Sequence, residues 1–259
     1  MEVLSGLSSA SGTTVLSGGE LILVSGGASG AVVAGTEIVQ GGGEDYDSVI
    51  ESGGLHVVQY RSEFTVLSGG AEEIVSSGGA ATGLVISSGG IAVVSSGGSA
   101  GATELEGGYE LVASGGIMSG AFISAGTLEL ASGANANTPS EVAFAGGGTL
   151  QLDGGTGFGW HVSGFGAGDQ IDLEDIAFVP PTGKKNQNAE VSYTAGINQS
   201  GTLTVTDGVH TANIVLLGQY TASEFITSSD GRGGTLITFT SATATTGGHG
   251  HAIASPVTS

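Results

Sequence analysis

Leu84-Val85-Ile86-Ser87-Ser88-Gly89-Gly90-Ile91-Ala92-Val93-Val94-Ser95-Ser96-Gly97-Gly98 contains one short unit twice: an apolar run, then Ser-Ser-Gly-Gly. Three or four β-formers in a row are too few for a helix and suit a short strand. The glycine pair supplies positive φ, so the chain turns there without steric cost. The unit recurs on both sides, as Val15 to Gly19, Leu21 to Gly27, Val66 to Gly70, Ile74 to Gly79 and Leu111 to Gly116. The stretch from Thr14 to Gly133 is therefore a tandem repeat.

Spacing converts the repeat into an architecture. The first glycines of successive pairs stand at 18, 26, 42, 53, 69, 78, 89, 97, 107 and 115. The steps between them are 8, 16, 11, 16, 9, 11, 8, 10 and 8. Each 16 reads as two eights with a degenerate middle, Ala34-Gly35 or Arg61-Ser62. A short arm and a long arm together span about 19 residues, and the pair reads as one coil of a parallel β-helix. Stacked coils lie about 4.8 Å apart and pair one another's edges, so roughly six coils predict a rod about 30 Å long. A single coil cannot bury its apolar face, whereas a stack can.

Composition supports this. Glycine is 51 of 259 residues, but it does not recur every third position and there are only 4 prolines, which excludes collagen. The chain is 39% hydrophobic in β-branched clusters, which argues against disorder in the repeat. The formal charge is −20, from 24 acidic and 4 basic residues. Such a surface repels phosphate and anionic lipid, so neither nucleic acid nor direct membrane insertion is expected. No stretch reaches the ~18 apolar residues of a membrane span. Cysteine is absent, and a continuous aliphatic core removes the need for disulfides. The N-terminus, Met1 to Gly6, shows no basic-then-apolar signal peptide. The expectation is a cytoplasmic protein, or export by a type I-like route that does not read the N-terminus, or a fragment of a longer chain.

Val-Ser-Ser-Gly-Gly at this spacing resembles the passenger repeats of AIDA-type autotransporter adhesins, over about half the chain. The resemblance implies a β-helical stalk at the bacterial surface, secreted or displayed, acting in adhesion or aggregation. Its implied partners are host or bacterial surface glycans or proteins, with self-association among them. It further implies Ser76, Ser77, Ser87, Ser88, Ser95 and Ser96 as glycosylation sites. One departure is that autotransporters carry a long C-terminal membrane barrel, for which too little sequence follows the repeat.

The repeat, residues 1–133, gives way at Ala134-Asn135-Ala136-Asn137-Thr138-Pro139. In 134–180, Phe144, Phe158, Trp160, Phe165 and Phe178 cluster after an aromatic-poor repeat and are expected to cap the open core. Gly164-Phe165-Gly166-Ala167-Gly168-Asp169-Gln170-Ile171-Asp172-Leu173 looks like the segment that closes the calcium-binding β-rolls of type I secreted proteins. Asp169 and Asp172 are thus candidate Ca²⁺ ligands, offering the carboxylate oxygens this hard cation takes. Alternatively, Asp169 closes an Asx-type turn and Asp172 lies on a solvated face. Residues 181–240 read as a small β module resembling the one that follows such repeats. Within it, Thr202 to Thr206, Asp207-Gly208 and Val209 to Leu217 form a hairpin signal. Thr221-Ala222-Ser223-Glu224 has capping-box spacing and carries Phe225 toward the core. Residues 241–259 read as a disordered tail, whose His249 and His251 are too few for a structural zinc site.

Enzymes also use this fold class, including polysaccharide lyases, hydrolases and epimerases. Glycoside hydrolysis needs two converging carboxylates. The densest acidic run is Glu44, Asp45, Asp47 and Glu51, followed by Glu63, Glu72 and Glu73; stacking offers Glu51 beside Glu72 or Glu73. The simpler reading is a solvated acidic edge. His56, His161 and His210 assemble no nucleophile set and read as surface or capped strand residues. The expectation is an all-β, non-catalytic stalk, with a carbohydrate-active β-helix enzyme as the alternative.

Overall fold

Alternation within each short strand settles which side chains face the core. In Glu72–Val75, Glu73 and Val75 are buried while Glu72 is exposed; in Ile91–Val94, Ala92 and Val94 are buried while Ile91 is exposed. The computed structural model describes residues 1–6, 8–136, 140–154, 159–178 and 190–240. The described residues as far as Leu173 form a parallel β-solenoid. Ten successive strand segments of one face stack in register, from Glu2–Leu4 to Gln170–Leu173, which makes about nine coils. At the usual strand spacing the rod is about 43 Å long. The stacking runs past Gly133: Glu141–Phe144 and Thr149–Leu152 pair parallel with the coil before them, and His161–Ser163 and Gln170–Leu173 follow.

The coils up to Phe144 have three strands each where the glycine spacing suggested two arms. The coil from Glu72 runs through Glu72–Val75, Ala80–Thr82 and Val85–Ser87. The long arm is bent in its middle by one left-handed residue, Gly83, with φ +70°. The same corner is Gly30 two coils earlier than Phe64, and Asp47, Phe64 and Ala102 hold it with φ of 57°, 59° and 51°. Ladder bonds continue through the bend, from Gly30 N–H to Tyr46 O, Asp47 N–H to Glu63 O and Phe64 N–H to Thr82 O at 2.8–2.9 Å. A one-residue turn that accepts Phe or Ala leaves no glycine-pair signature.

The Gly-Gly corners have a two-part cause. Gly78 needs its φ of +84°, which L-residues avoid. Gly79 has ordinary φ, but a Cβ there would overlap the Val58 carbonyl of the previous coil. The first glycine makes the turn and the second admits the neighbouring coil.

The core is a set of ladders. On the third face Val33, Ile50, Leu67, Ile86, Leu105 and Ile123 stack in register, all buried. Burial of each such side chain contributes about 1.5–3 kcal/mol before conformational entropy is charged.

The C-terminal module closes the open end. Glu190–Ala195, Ser200–Thr206 and Thr211–Leu217 form an antiparallel meander, and its last strand adds in parallel to His161–Ser163. The hairpin of Phe225–Ser229 and Thr235–Phe239 adds antiparallel to Gln170–Leu173. Both strand edges are thereby covered. Phe165 sits at the centre of the closure, with ring centroids 5.6 Å from Phe144, 6.3 Å from Phe225 and 6.2 Å from Phe239. Trp160 is also buried; Phe178 is half-buried, and Phe158 lies outside the described residues. The connection after Thr206 is four residues long, since Thr206 pairs with Thr211, where a two-residue turn was expected. Asp207 Oδ1 accepts from Val209 and His210 N–H at 2.8 and 2.6 Å, an Asx turn that widens the loop. The capping box forms as expected: Thr221 N–H donates to Glu224 Oε2 at 2.7 Å, and Phe225 is buried.

Candidate functional site: a polar cluster inside the coils

One core ladder breaks the aliphatic rule. Its successive members are Leu21, Glu37, His56, Glu73, Ala92, Glu110 and Leu128. Glu37, His56, Glu73 and Glu110 are all 0% exposed. The ladder on the second face supplies Asp45 and Ser62 between Ala28 and Ala81, and the corner supplies Ser48 and Thr65. All lie inside the barrel of the coils.

The contacts are specific. His56 Nδ1 is 2.9 Å from Glu73 Oε2, and His56 Nε2 is 3.9 Å from Asp45 Oδ2. Asp45 Oδ1 accepts from Ser48 Oγ at 2.5 Å, and Oδ2 has longer contacts with Ser62 and Thr65 at 3.4 and 3.5 Å. Ser62 and Thr65 hydroxyls are 2.7 Å apart. Both Glu37 oxygens, His56 Nε2 and Glu73 Oε1 have no hydrogen-bond partner. Donor atoms of Glu37, Asp45 and His56 lie within 4.8 Å of one another.

Burial sets the charge states. It pushes Glu37 up to about 7, with His56 opposing, and it also raises Asp45. For His56 burial works downward, but the Glu73 hydrogen bond and the charges of Glu73, Glu37 and Asp45 carry it up to about 9. Glu110 stands apart, pushed up to about 8 by burial and held only by a 3.3 Å bond from Thr103 Oγ1.

This overturns the solvated-edge reading for part of the acidic run and the surface reading of His56. Asp45 and Glu73 point inward; Asp47, Glu51 and Glu72 are exposed, and Glu44 and Glu63 are half-buried. Glu72 and Glu73 pair with Leu55 and His56, so neither is in register with Glu51. Arg61, the repeat's one basic residue, is exposed and engages Glu63 and Glu44. His161 and His210 are exposed, as expected of surface residues. The buried set was legible in principle. Each member stands two residues before an inward valine: Glu37 before Val39, His56 before Val58, Glu73 before Val75, Glu110 before Val112.

Of the two aspartates expected to bind calcium, Asp172 joins a cluster of acidic side chains and Asp169 does not. Asp169 turns its Oδ2 back to the Gly166 N–H, three residues earlier, at 2.7 Å, its buried Oδ1 has no hydrogen-bond partner, and burial raises its carboxyl. Asp172 gathers with Glu174 and Asp230, with donor atoms within 4.8 Å. Asp172 Oδ1 and Asp230 Oδ2 have no hydrogen-bond partner, while Asp230 Oδ1 accepts from Arg232 and Gly233 N–H at 2.7 and 2.9 Å. Burial, then the charges of Asp230 and Glu174, push Asp172 up to about 6. His249 and His251 lie outside the described residues. At the corners Ser77, Ser88 and Ser96 are exposed, and Ser76, Ser87 and Ser95 are half-buried.

Fold and site together define a parallel β-solenoid with a polar segment sealed in its core. No protein-family model and no curated protein matches the chain. Among solved structures it is similar to the TibC-catalyzed hyper-glycosylated TibA55-350 fragment, at 24% identity, over 69% of this chain and 78% of that chain, with a TM-score of 0.49.

Proposed function

We propose that the chain is a non-catalytic stalk of a secreted or surface-displayed bacterial protein, acting in adhesion or aggregation. The observation that carries this reading is the direction of the acidic side chains. Asp45 and Glu73, from the acidic run an enzyme would draw on, are sealed in the core with Glu37 and Glu110, out of reach of any polysaccharide. The carboxylate pair that coil stacking offered, Glu51 with Glu72 or Glu73, is out of register. The resemblance of the Ser-Gly-Gly units to AIDA-type passengers supports the same role. Partners on this reading are surface glycans or proteins, or a second copy of the chain. Serines at the exposed corners, Ser77, Ser88 and Ser96, are the accessible positions for glycan attachment. On this reading, calcium is taken by Asp172 together with Glu174 and Asp230, a choice supported by donor atoms within 4.8 Å of one another.

The test is display of the chain on a non-adherent bacterium, scored for clumping and for retention on glycan-coated and protein-coated surfaces. The stalk reading expects clumping or retention above the undisplayed strain. Release of reducing ends or unsaturated ends from a polysaccharide panel by the purified chain would instead establish the enzyme.

A further inference from the structure

The buried cluster poses a physical problem that proton placement alone leaves unsolved. A carboxylate taken out of water costs several kcal/mol unless partnered. Glu37 is wholly buried with two unpartnered oxygens, and His56 Nε2 and Glu73 Oε1 are unpartnered beside it. Glu37 and His56 stand on successive coils, and their donor atoms converge with one of Asp45 within 4.8 Å.

We infer that Glu37, Asp45 and His56 form a binding site for a single divalent transition-metal ion of the zinc class, held in the solenoid core. The donors are one imidazole nitrogen, His56 Nε2, and two carboxylates, those of Glu37 and Asp45. Imidazole with carboxylate suits zinc and its neighbours, whereas calcium takes six to eight oxygens and does not favour nitrogen. His56 Nε2 and Asp45 Oδ2 are 3.9 Å apart, a separation that one ion at about 2.1 Å from each can bridge.

The outer contacts match what a metal site needs. A ligating histidine donates its other ring N–H to a carboxylate, which fixes ring and tautomer. His56 does this through Nδ1 to Glu73 Oε2 at 2.9 Å. Asp45 is held by Ser48 Oγ on the oxygen other than the one facing His56. The ladder around Asp45 is built of small residues, Ala28 before it and Ser62 and Ala81 after it, so no bulky side chain from that ladder crowds the site. The ion would tie together two successive coils, that of Glu37 and Asp45 and that of His56, which the aliphatic stack leaves without apolar filling in this ladder. Because the site is sealed, the ion enters as the coils stack, and its binding free energy becomes folding free energy.

The experiment is refolding of the full chain from denaturant with excess Zn²⁺ or with EDTA, followed by gel filtration, metal analysis and a thermal melt. The expected result is about one zinc per chain retained through gel filtration and a melting midpoint several degrees above that of the EDTA-refolded chain. Glu37→Leu and His56→Leu, each apolar like Leu21 and Leu128 in the same ladder, are expected to lose the bound zinc. Asp172→Asn and His249→Ala/His251→Ala keep it, which separates this site from the surface cluster and the tail. Refolded wild-type chain with no retained metal and one midpoint in both conditions would overturn the inference. So would full zinc content in a folded Glu37→Leu or His56→Leu variant. If those variants do not fold, the wild-type metal content decides alone.

Discussion

His56 Nδ1 lies 2.9 Å from Glu73 Oε2, two side chains 17 residues apart in sequence, neighbours in one ladder and both without solvent contact. Removing one member leaves the other as an uncompensated buried polar group. Glu73→Leu or His56→Leu alone should cost about 3–5 kcal/mol, measured by denaturant unfolding in EDTA. The double Leu variant should recover most of that loss, because apolar replacement of a buried pair is often neutral or better. Additive losses in the double variant would show that the pair is not coupled.

Glu110 gives the molecule a pH dependence of known sign. Its carboxyl is pushed up to about 8 in the fold from an ordinary value of 4.5. Between those two values the folded state holds a proton that the unfolded chain releases, so stability falls as pH rises. The chain should therefore be more stable at pH 5 than at pH 8, by an amount of order a few kcal/mol from this residue. Glu110→Gln should flatten that part of the profile in unfolding measurements at several pH values. An unchanged slope in the variant would remove Glu110 as its source.

The corners separate two uses of glycine. Gly79→Ala brings a Cβ against the Val58 carbonyl, backbone that cannot step aside, and should lower the unfolding midpoint substantially. Ala102 adopts φ +51°, so Ala102→Gly should stabilise by roughly 1 kcal/mol as strain is relieved. Denaturant midpoints of the two variants should move in opposite directions.

Calcium should act through Asp172 and not Asp169. Millimolar Ca²⁺ after chelation is expected to raise the thermal midpoint of the wild-type chain. Asp172→Asn should remove the response, and Asp169→Asn should keep it while losing about 1 kcal/mol with its turn bond. A response that follows Asp169 would reverse the assignment.

Much of this was written locally. Val93-Val94-Ser95-Ser96-Gly97-Gly98 states strand and corner within six residues, because the β-branched run and the glycine φ act over neighbouring bonds. The Thr221–Glu224 cap and the strands flanking Asp207 were equally readable, being decided by contacts a few residues apart. The third strand of each coil was not, since its corner is one left-handed residue that can be Gly83, Asp47, Phe64 or Ala102.

The sequence by itself determined a solenoid, its repeat length and its aromatic closure, because periodic hydrophobicity and glycine turns are properties of adjacent residues. Only the tertiary structure decided where Glu37, Asp45, His56 and Glu73 meet. Adjacent glutamates such as Glu72 and Glu73 point to opposite sides of a strand, and their identity alone does not say which is inside. That choice is made by register between coils, where Glu37 meets His56 19 residues on and His56 meets Glu73 17 residues on. The unequal spacing hides the ladder in the linear chain, and stacking restores it.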